Sequence, residues 1–184
     1  MSVRFPFGDG PDTNISNIGT VNSLTGLTSA EYGNESFHKT VLTLDEVEVG
    51  SPAGAANLGF GKLMYTLPAG ACLVSASKFN LSLQGGGVVD ADTPDVGLGT
   101  VIASGAVAVL SGTATFENIM TGQTFNDCNG TAEVATTLAT SSPFALIVET
   151  AGAHTIYLNV ADGWAGADTI TASGTITLIW AFVG

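Results

Sequence analysis

Basic residues are nearly missing from this sequence. Four lysines and arginines stand against 16 acids in 184 residues, for a net charge of −12. The four are Arg4, Lys39, Lys62 and Lys78, all in the first half. Binding nucleic acid means neutralising phosphates with such side chains, so that class of partner is excluded, and so is an anionic membrane surface. Charge of either sign is scarce, at 11% of residues where an ordinary soluble domain carries roughly 25%. No run of 18 apolar residues occurs, so no helical membrane span is expected. The first ten residues, which include Pro6 and Asp9, lack the apolar segment of a secretory signal. The Asn-x-Ser/Thr triplets at Asn14, Asn34, Asn80 and Asn129 are then chance matches.

Cysteine is also sparse. Cys72 and Cys128 could form one disulfide, whose geometry no sequence specifies, although small buried apolar side chains are the commoner role. Neither belongs to a Cys-x-x-Cys, so a zinc or thioredoxin-like site has no support. The histidines are His38 and His154 alone. His154 keeps the register of Ile156, as a satisfied core or interface histidine would. No nucleophile elbow, His-Glu-x-x-His or phosphate-binding loop is present, and Gly97-x-Gly99 lacks the third glycine of a dinucleotide site. No catalytic residue and no cofactor is therefore assigned.

What the chain does have is small uncharged polar residues, 24 glycines and 45% hydrophobic residues. A chain of this length can bury roughly 70% of its unfolded surface without metal or disulfide staples. Its apolar residues alternate with a period of two. Phe79, Leu81 and Leu83 alternate with Lys78, Asn80, Ser82 and Gln84, and three glycines follow. Leu63, Tyr65 and Leu67 precede a Pro68-Ala69-Gly70 turn, and residues 38–49 are dense in Val, Leu and Thr. A strand over 96–102 is weakened by its glycines. Residues 105–116 read either way, and Glu117–Met120 suits a short helical turn. Residues 144–149 and 154–160, joined through Ala151-Gly152, read as a β-hairpin. Ile176, Leu178, Trp180 and Phe182 share one face of a last strand, which should lie inside a sheet.

Seven or eight short strands without a long amphipathic helix or an internal repeat predict an all-β fold, a jelly-roll-like β-sandwich over residues 37–184. Residues 1–36 lack this periodicity and are rich in turn signals, so they read as an extended arm ordered by contact with another subunit. Phe5 and Phe7 are its apolar interface candidates. Trp164, in a glycine-flanked loop between Asp162 and Asp168, suits an interface, a ligand contact or ordinary burial. Asp90, Asp92 and Asp95 are weak candidates for Ca²⁺, lacking the EF-hand glycine and terminal Glu. A solvated acidic loop is the commoner explanation of such a cluster.

Four segments resemble small proteins found among tailed-bacteriophage structural genes. They are residues 61–71 (GKLMYTLPAGA), 92–102 (DTPDVGLGTVI), 112–122 (GTATFENIMTG) and 153–159 (AHTIYLN). The similarity spans roughly residues 30–184 and brings no catalytic residues with it. It implies a virion structural protein made in a host cytoplasm, of the capsid auxiliary (decoration or cement) type. The implied partner is the major capsid protein, the implied assembly a homotrimer on the capsid exterior. An acidic chain suits that position, away from packaged DNA. The alternative is a tail-associated or receptor-binding sandwich with glycan affinity.

Overall fold

A computed structural model describes residues 15, 18–53, 57–85, 93–110, 115–125, 128, 135–141, 145–149, 154–164 and 166–183, with backbone alone for 135–141 and 145–149. The described residues form eleven strands and no helix. In chain order these are β1 (Thr20–Val21), β2 (Leu27–Gly33), β3 (Phe37–Gly50), β4 (Gly59–Leu67), β5 (Gly70–Gly85), β6 (Asp95–Gly99), β7 (Met120–Thr124), β8 (Ala135–Ser141), β9 (Ala145–Glu149), β10 (His154–Ala161) and β11 (Ile170–Phe182).

They make two antiparallel sheets. One has the order β1-β4-β10-β6-β7; the other runs β2-β3-β11-β5-β8, with β9 also on β5. The fold is the expected β-sandwich. The last strand is central, between β3 and β5, and pairs along nearly its whole length with both. Its alternation explains why. Ile176, Leu178 and Trp180 are buried while Thr175, Thr177 and Ile179 are half-exposed, so one face fills the core and the other faces outward.

Facing side chains of the second sheet close that core: Tyr65 and Leu67 from β4, Val96 and Leu98 from β6, and Ile156, Leu158 and Val160 from β10. Each such aliphatic side chain contributes about 1.5–3 kcal/mol by leaving water. The β4 alternation breaks at Met64, which is buried beside Tyr65. Ile156 pairs with Tyr65 but Tyr157 with Leu63, so Met64 is the extra residue of a bulge.

Residues 100–110 and 115–119 lie over the outside of the five-stranded sheet. Ala103 and Leu110 from this segment pack on Ala161 as a second small core, with Val107 and Phe116 against it. That cover is why β10 is buried on both faces from Leu158 onward. Gly99 of β6 lets the cover come close, because a Cβ there would overlap the Phe116 carbonyl. The glycines that weaken this strand in a propensity reading are what allow a second backbone to cross it.

Three expectations are corrected. Residues 144–160 are not a hairpin: β9 pairs with Gly70–Val74 of β5, whereas β10 pairs with β4 and β6, so the chain changes sheets between them. Residues 117–119 form bends leading into β7, with no helical turn. Part of the segment read as an arm belongs to the sheets: β1 pairs with β4 and β2 with Leu44–His38 of β3. Three half-exposed and two exposed side chains in the seven-residue β2 conceal it from a hydrophobicity reading. The rest of that segment, residues 1–14 with Phe5 and Phe7, lies outside the described residues.

Candidate interaction face

The two sides of the six-stranded sheet differ in chemistry. On the inner side the edge strand β2 sends Glu31 into a cluster of polar groups. Its Oε2 accepts hydrogen bonds from the Thr40 hydroxyl at 2.8 Å and the Tyr65 hydroxyl at 3.0 Å, and Oε1 lies 3.2 Å from His38 Nδ1. Trp180 Nε1 donates to Thr40 Oγ1 at 2.9 Å, and the Gly19 amide donates to the Tyr65 oxygen. Burial above all, then the nearby Glu31 charge, holds the Tyr65 phenol well above its ordinary range. His38 is wholly buried, and its Nε2 has no hydrogen-bond partner. A carboxylate–imidazole pair of this kind orients a base in some enzymes, but here the free ring nitrogen is sealed inside the core, where no substrate reaches it. The cluster ties β2, β3, β4 and β11 together.

The outer side of the same sheet carries four successive rungs of side chains, fixed by strand register. Phe37, Ala181 and Leu73 make the first, and Tyr32, Lys39, Ile179 and Ala76 the second. Ala30, Val41, Thr177 and Lys78 make the third; Thr28, Thr43, Thr175 and Asn80 make the fourth. None of these is an acid, on a chain of net charge −12. Two of the four basic residues stand here, and Lys39 Nζ lies 5.0 Å from the Tyr32 ring centre, within cation–π range. Phe37 is 57% exposed, and Val183, which continues the β11 alternation, 56%. These four rungs therefore present aliphatic, hydroxyl and lysine side chains without a carboxylate among them.

The other sequence-nominated residues fall elsewhere. His154 is buried, and its Nε2 lies 2.6 Å from the Gly70 carbonyl oxygen. Trp164 is 4% exposed: its Nε1 donates to the Leu58 carbonyl at 2.8 Å and its ring meets Phe60 at 5.6 Å. Of the three roles open to this tryptophan, ordinary burial is the one found, because the loop folds back over β4 and gives the indole both an apolar bed and an acceptor. Asp95 spends its carboxylate internally, accepting from the Leu110 amide and the Thr124 hydroxyl. Asp90 and Asp92 lie outside the described residues. Among the described residues no three His, Cys, Asp or Glu side chains gather as a metal site would require. Cys72 and Cys128 are both buried, and burial pushes the Cys72 thiol up to about 11.

Neither the acid-free face nor the buried cluster was singled out from sequence, though part of the signal was there. His38 and Thr40 keep the phase of Leu42 and Leu44, which places them inside. Phe37, Lys39 and Val41 take the opposite phase. Compared with protein-family models, curated proteins and solved structures, the chain matches none.

Proposed function

We propose that this chain is a non-enzymatic virion structural protein, a decoration or cement protein that lies on the outside of a phage head and braces its lattice. The observation that carries the reading is the run of four acid-free rungs at one end of the outer face of the six-stranded sheet. A protein with so few lysines has two of them on the one face that also exposes Phe37 and Val183. Its partner in this reading is the major capsid protein, through a surface that offers acidic groups to Lys39 and Lys78 and apolar groups between them. The task calls for docking and no covalent step.

The strand order supports a jelly-roll connectivity. With β1, β2 and β9 set aside, eight strands remain. In chain order they alternate between the sheets up to the fourth, and the first and last lie side by side as β3 and β11. Double Greek-key sandwiches have this arrangement. Resemblance to tailed-phage structural proteins supports the same conclusion, as does the acidity, which turns the protein away from packaged DNA. In this reading three copies associate on the capsid, and weak contacts repeated over the lattice supply the retention.

Immunogold electron microscopy of virions that carry this protein tests the proposal. Dense labelling over heads is the expected result. Gold confined to tails would favour a tail-associated or receptor-binding module. Intact particles that stay unlabelled while the epitope is accessible would end the virion reading.

A further inference from the structure

Further along β3 than the acid-free rungs, the surface opens into a groove of about 450 Å³, continuous with a second cavity of about 290 Å³ through Glu46, Thr169 and Thr171, which line both. The larger cavity alone lies within the range of small-ligand sites. Its charged lining is Glu46 and Glu48 from β3 and Lys62 from β4. The described residues contain a single pairing within 4.0 Å, between His38 and Glu31, so these three charges share a groove without neutralising one another. Hydroxyls of Ser23, Thr25, Thr169 and Thr171 fill in between.

Glu46 is held there at a cost. Its φ is 53°, in the left-handed region, and it is the one described non-glycine residue with a positive φ. The β3–β11 register slips at this point, and the Glu46 amide donates to Ser173 Oγ at 3.0 Å rather than to a strand carbonyl. The bulge sets Glu46 and Glu48 along the same groove. Backbone strain at a non-glycine residue costs on the order of 1–3 kcal/mol and concentrates at sites that use it.

We propose that this groove binds a neutral oligosaccharide. Two carboxylates disfavour phosphate or sulfate, and Lys62 disfavours a metal cation, which would in any case need more oxygen ligands than two side chains supply. A polyhydroxylated chain satisfies all of these groups at once: its hydroxyls donate to Glu46 and Glu48 and accept from Lys62 and the threonines. Glu46, Thr169 and Thr171 line both cavities, so a chain of several sugar units could reach from one to the other. This inference does not rest on the capsid-docking face, so head labelling and sugar binding succeed or fail separately.

The test is an amide-resolved NMR titration of the full chain with maltohexaose, cellohexaose and chitohexaose at millimolar concentration, and with an oligogalacturonate as the anionic control. Saturable shifts confined to residues 46–49, 62 and 169–171, from at least one neutral sugar and not from the oligogalacturonate, are expected. Glu48→Gln and Lys62→Met should each weaken binding about tenfold, the loss of one charge-assisted hydrogen bond. Glu46→Gly should weaken binding while raising the melting temperature, since glycine accepts the left-handed backbone; a purely structural bulge would gain stability with binding unchanged. The absence of saturable shifts with all three neutral sugars, shifts that map elsewhere, or affinity indifferent to both charge variants would overturn the proposal. The same spectra show whether each variant is folded.

Discussion

The imidazole of His38 lies flat on the indole of Trp180, with ring centres 3.9 Å apart and planes within 8° of parallel. The stack joins β3 to β11, and hydrogen bonds extend it: Trp180 to Thr40, Thr40 to Glu31, and Tyr65 from the other sheet to the same carboxylate. Glu31 therefore anchors a polar edge strand to a core built mainly of aliphatic and aromatic side chains. It accepts from the Thr40 and Tyr65 hydroxyls, and removing it takes this acceptor from both.

Replacing Glu31 with alanine should cost about 2–4 kcal/mol, because a buried donor left without an acceptor carries its full desolvation penalty. Glu31→Gln keeps one acceptor oxygen and should cost about half as much. Urea unfolding of both variants measures this. A loss under about 0.5 kcal/mol for Glu31→Ala, the size of a surface substitution, would mean that the cluster does not hold β2 in place.

His38 Nε2 is a buried nitrogen without a partner, so the imidazole is not the best occupant of its own site. A phenyl ring keeps the stack on Trp180 and removes the orphaned atom, at the loss of the Nδ1 contact with Glu31. His38→Phe should accordingly stay within about 1 kcal/mol of the parent, whereas His38→Ala should lose about 2–4 kcal/mol through the cavity it leaves. Equal losses for both, by denaturant melts, would show that the ring's polarity and not its shape holds the stack.

Stability should fall in alkali. Burial raises the Cys72 thiol from 9.0 to about 11. Between those values the unfolded chain has lost this proton and the folded chain still holds it, so unfolding is favoured increasingly as pH rises from 9.0 towards 11. Tyr65, also raised by burial and by Glu31, extends the effect to higher pH. Below 9.0 both groups are protonated in either state and contribute no slope. Equilibrium unfolding across this range should show the decline, and Cys72→Ala should flatten its lower part. A flat profile in the parent would show that the thiol ionises freely in the native state.

Much of the sandwich was legible because its central strands alternate cleanly. β3, β5 and β11 announce themselves through Leu42 and Leu44, Phe79 to Leu83, and Ile176 to Trp180, whose inner faces have to be continuous to fill one core. What stayed hidden depends on partners distant in sequence. β9 and β10 have the signature of a hairpin, and only the free edge of β5 at Gly70–Val74 draws β9 into the other sheet. β2 is an edge strand, so its polar residues carry no alternation of their own, and Glu31 acquires meaning only once Tyr65 and His38 are brought to it. Trp164 looked displayed because glycines flank it, yet the Leu58 carbonyl and the Phe60 ring, distant in sequence, give its indole a buried place. The interaction face and the groove were illegible for the same reason: each is assembled from three or more strands, and no single strand carries its pattern.

Asn159 gives the strictest test of how the outer layer is held. It is fully buried in β10, with all its bonding directed to the covering segment: Oδ1 accepts from the Ala103 amide at 2.9 Å, and Nδ2 donates to the carbonyls of Val101 and Phe116 at 2.9 and 2.7 Å. These bonds substitute for strand pairing that residues 101–103 and 116 lack on this side. Without them the cover keeps the small apolar cluster around Ala161 and peripheral hydrogen bonds such as Leu110 amide to Asp95 and the Leu58 and Gly59 amides to the Gly105 carbonyl. Its outward side already exposes Val101, Ile102 and Val109, so little apolar burial opposes its release. Asn159→Leu should therefore cost about 2–3 kcal/mol, one buried amide and two part-buried carbonyls losing their partners together. It should also open residues 100–116 to protease before the sandwich melts, because local release needs less energy than global unfolding. Limited proteolysis with mass analysis of the fragments, run beside thermal melting, separates the two effects. Cleavage within 100–116 at temperatures where the sheets remain intact is the expected outcome. Simultaneous loss of both would place the cover inside the same cooperative unit as the core.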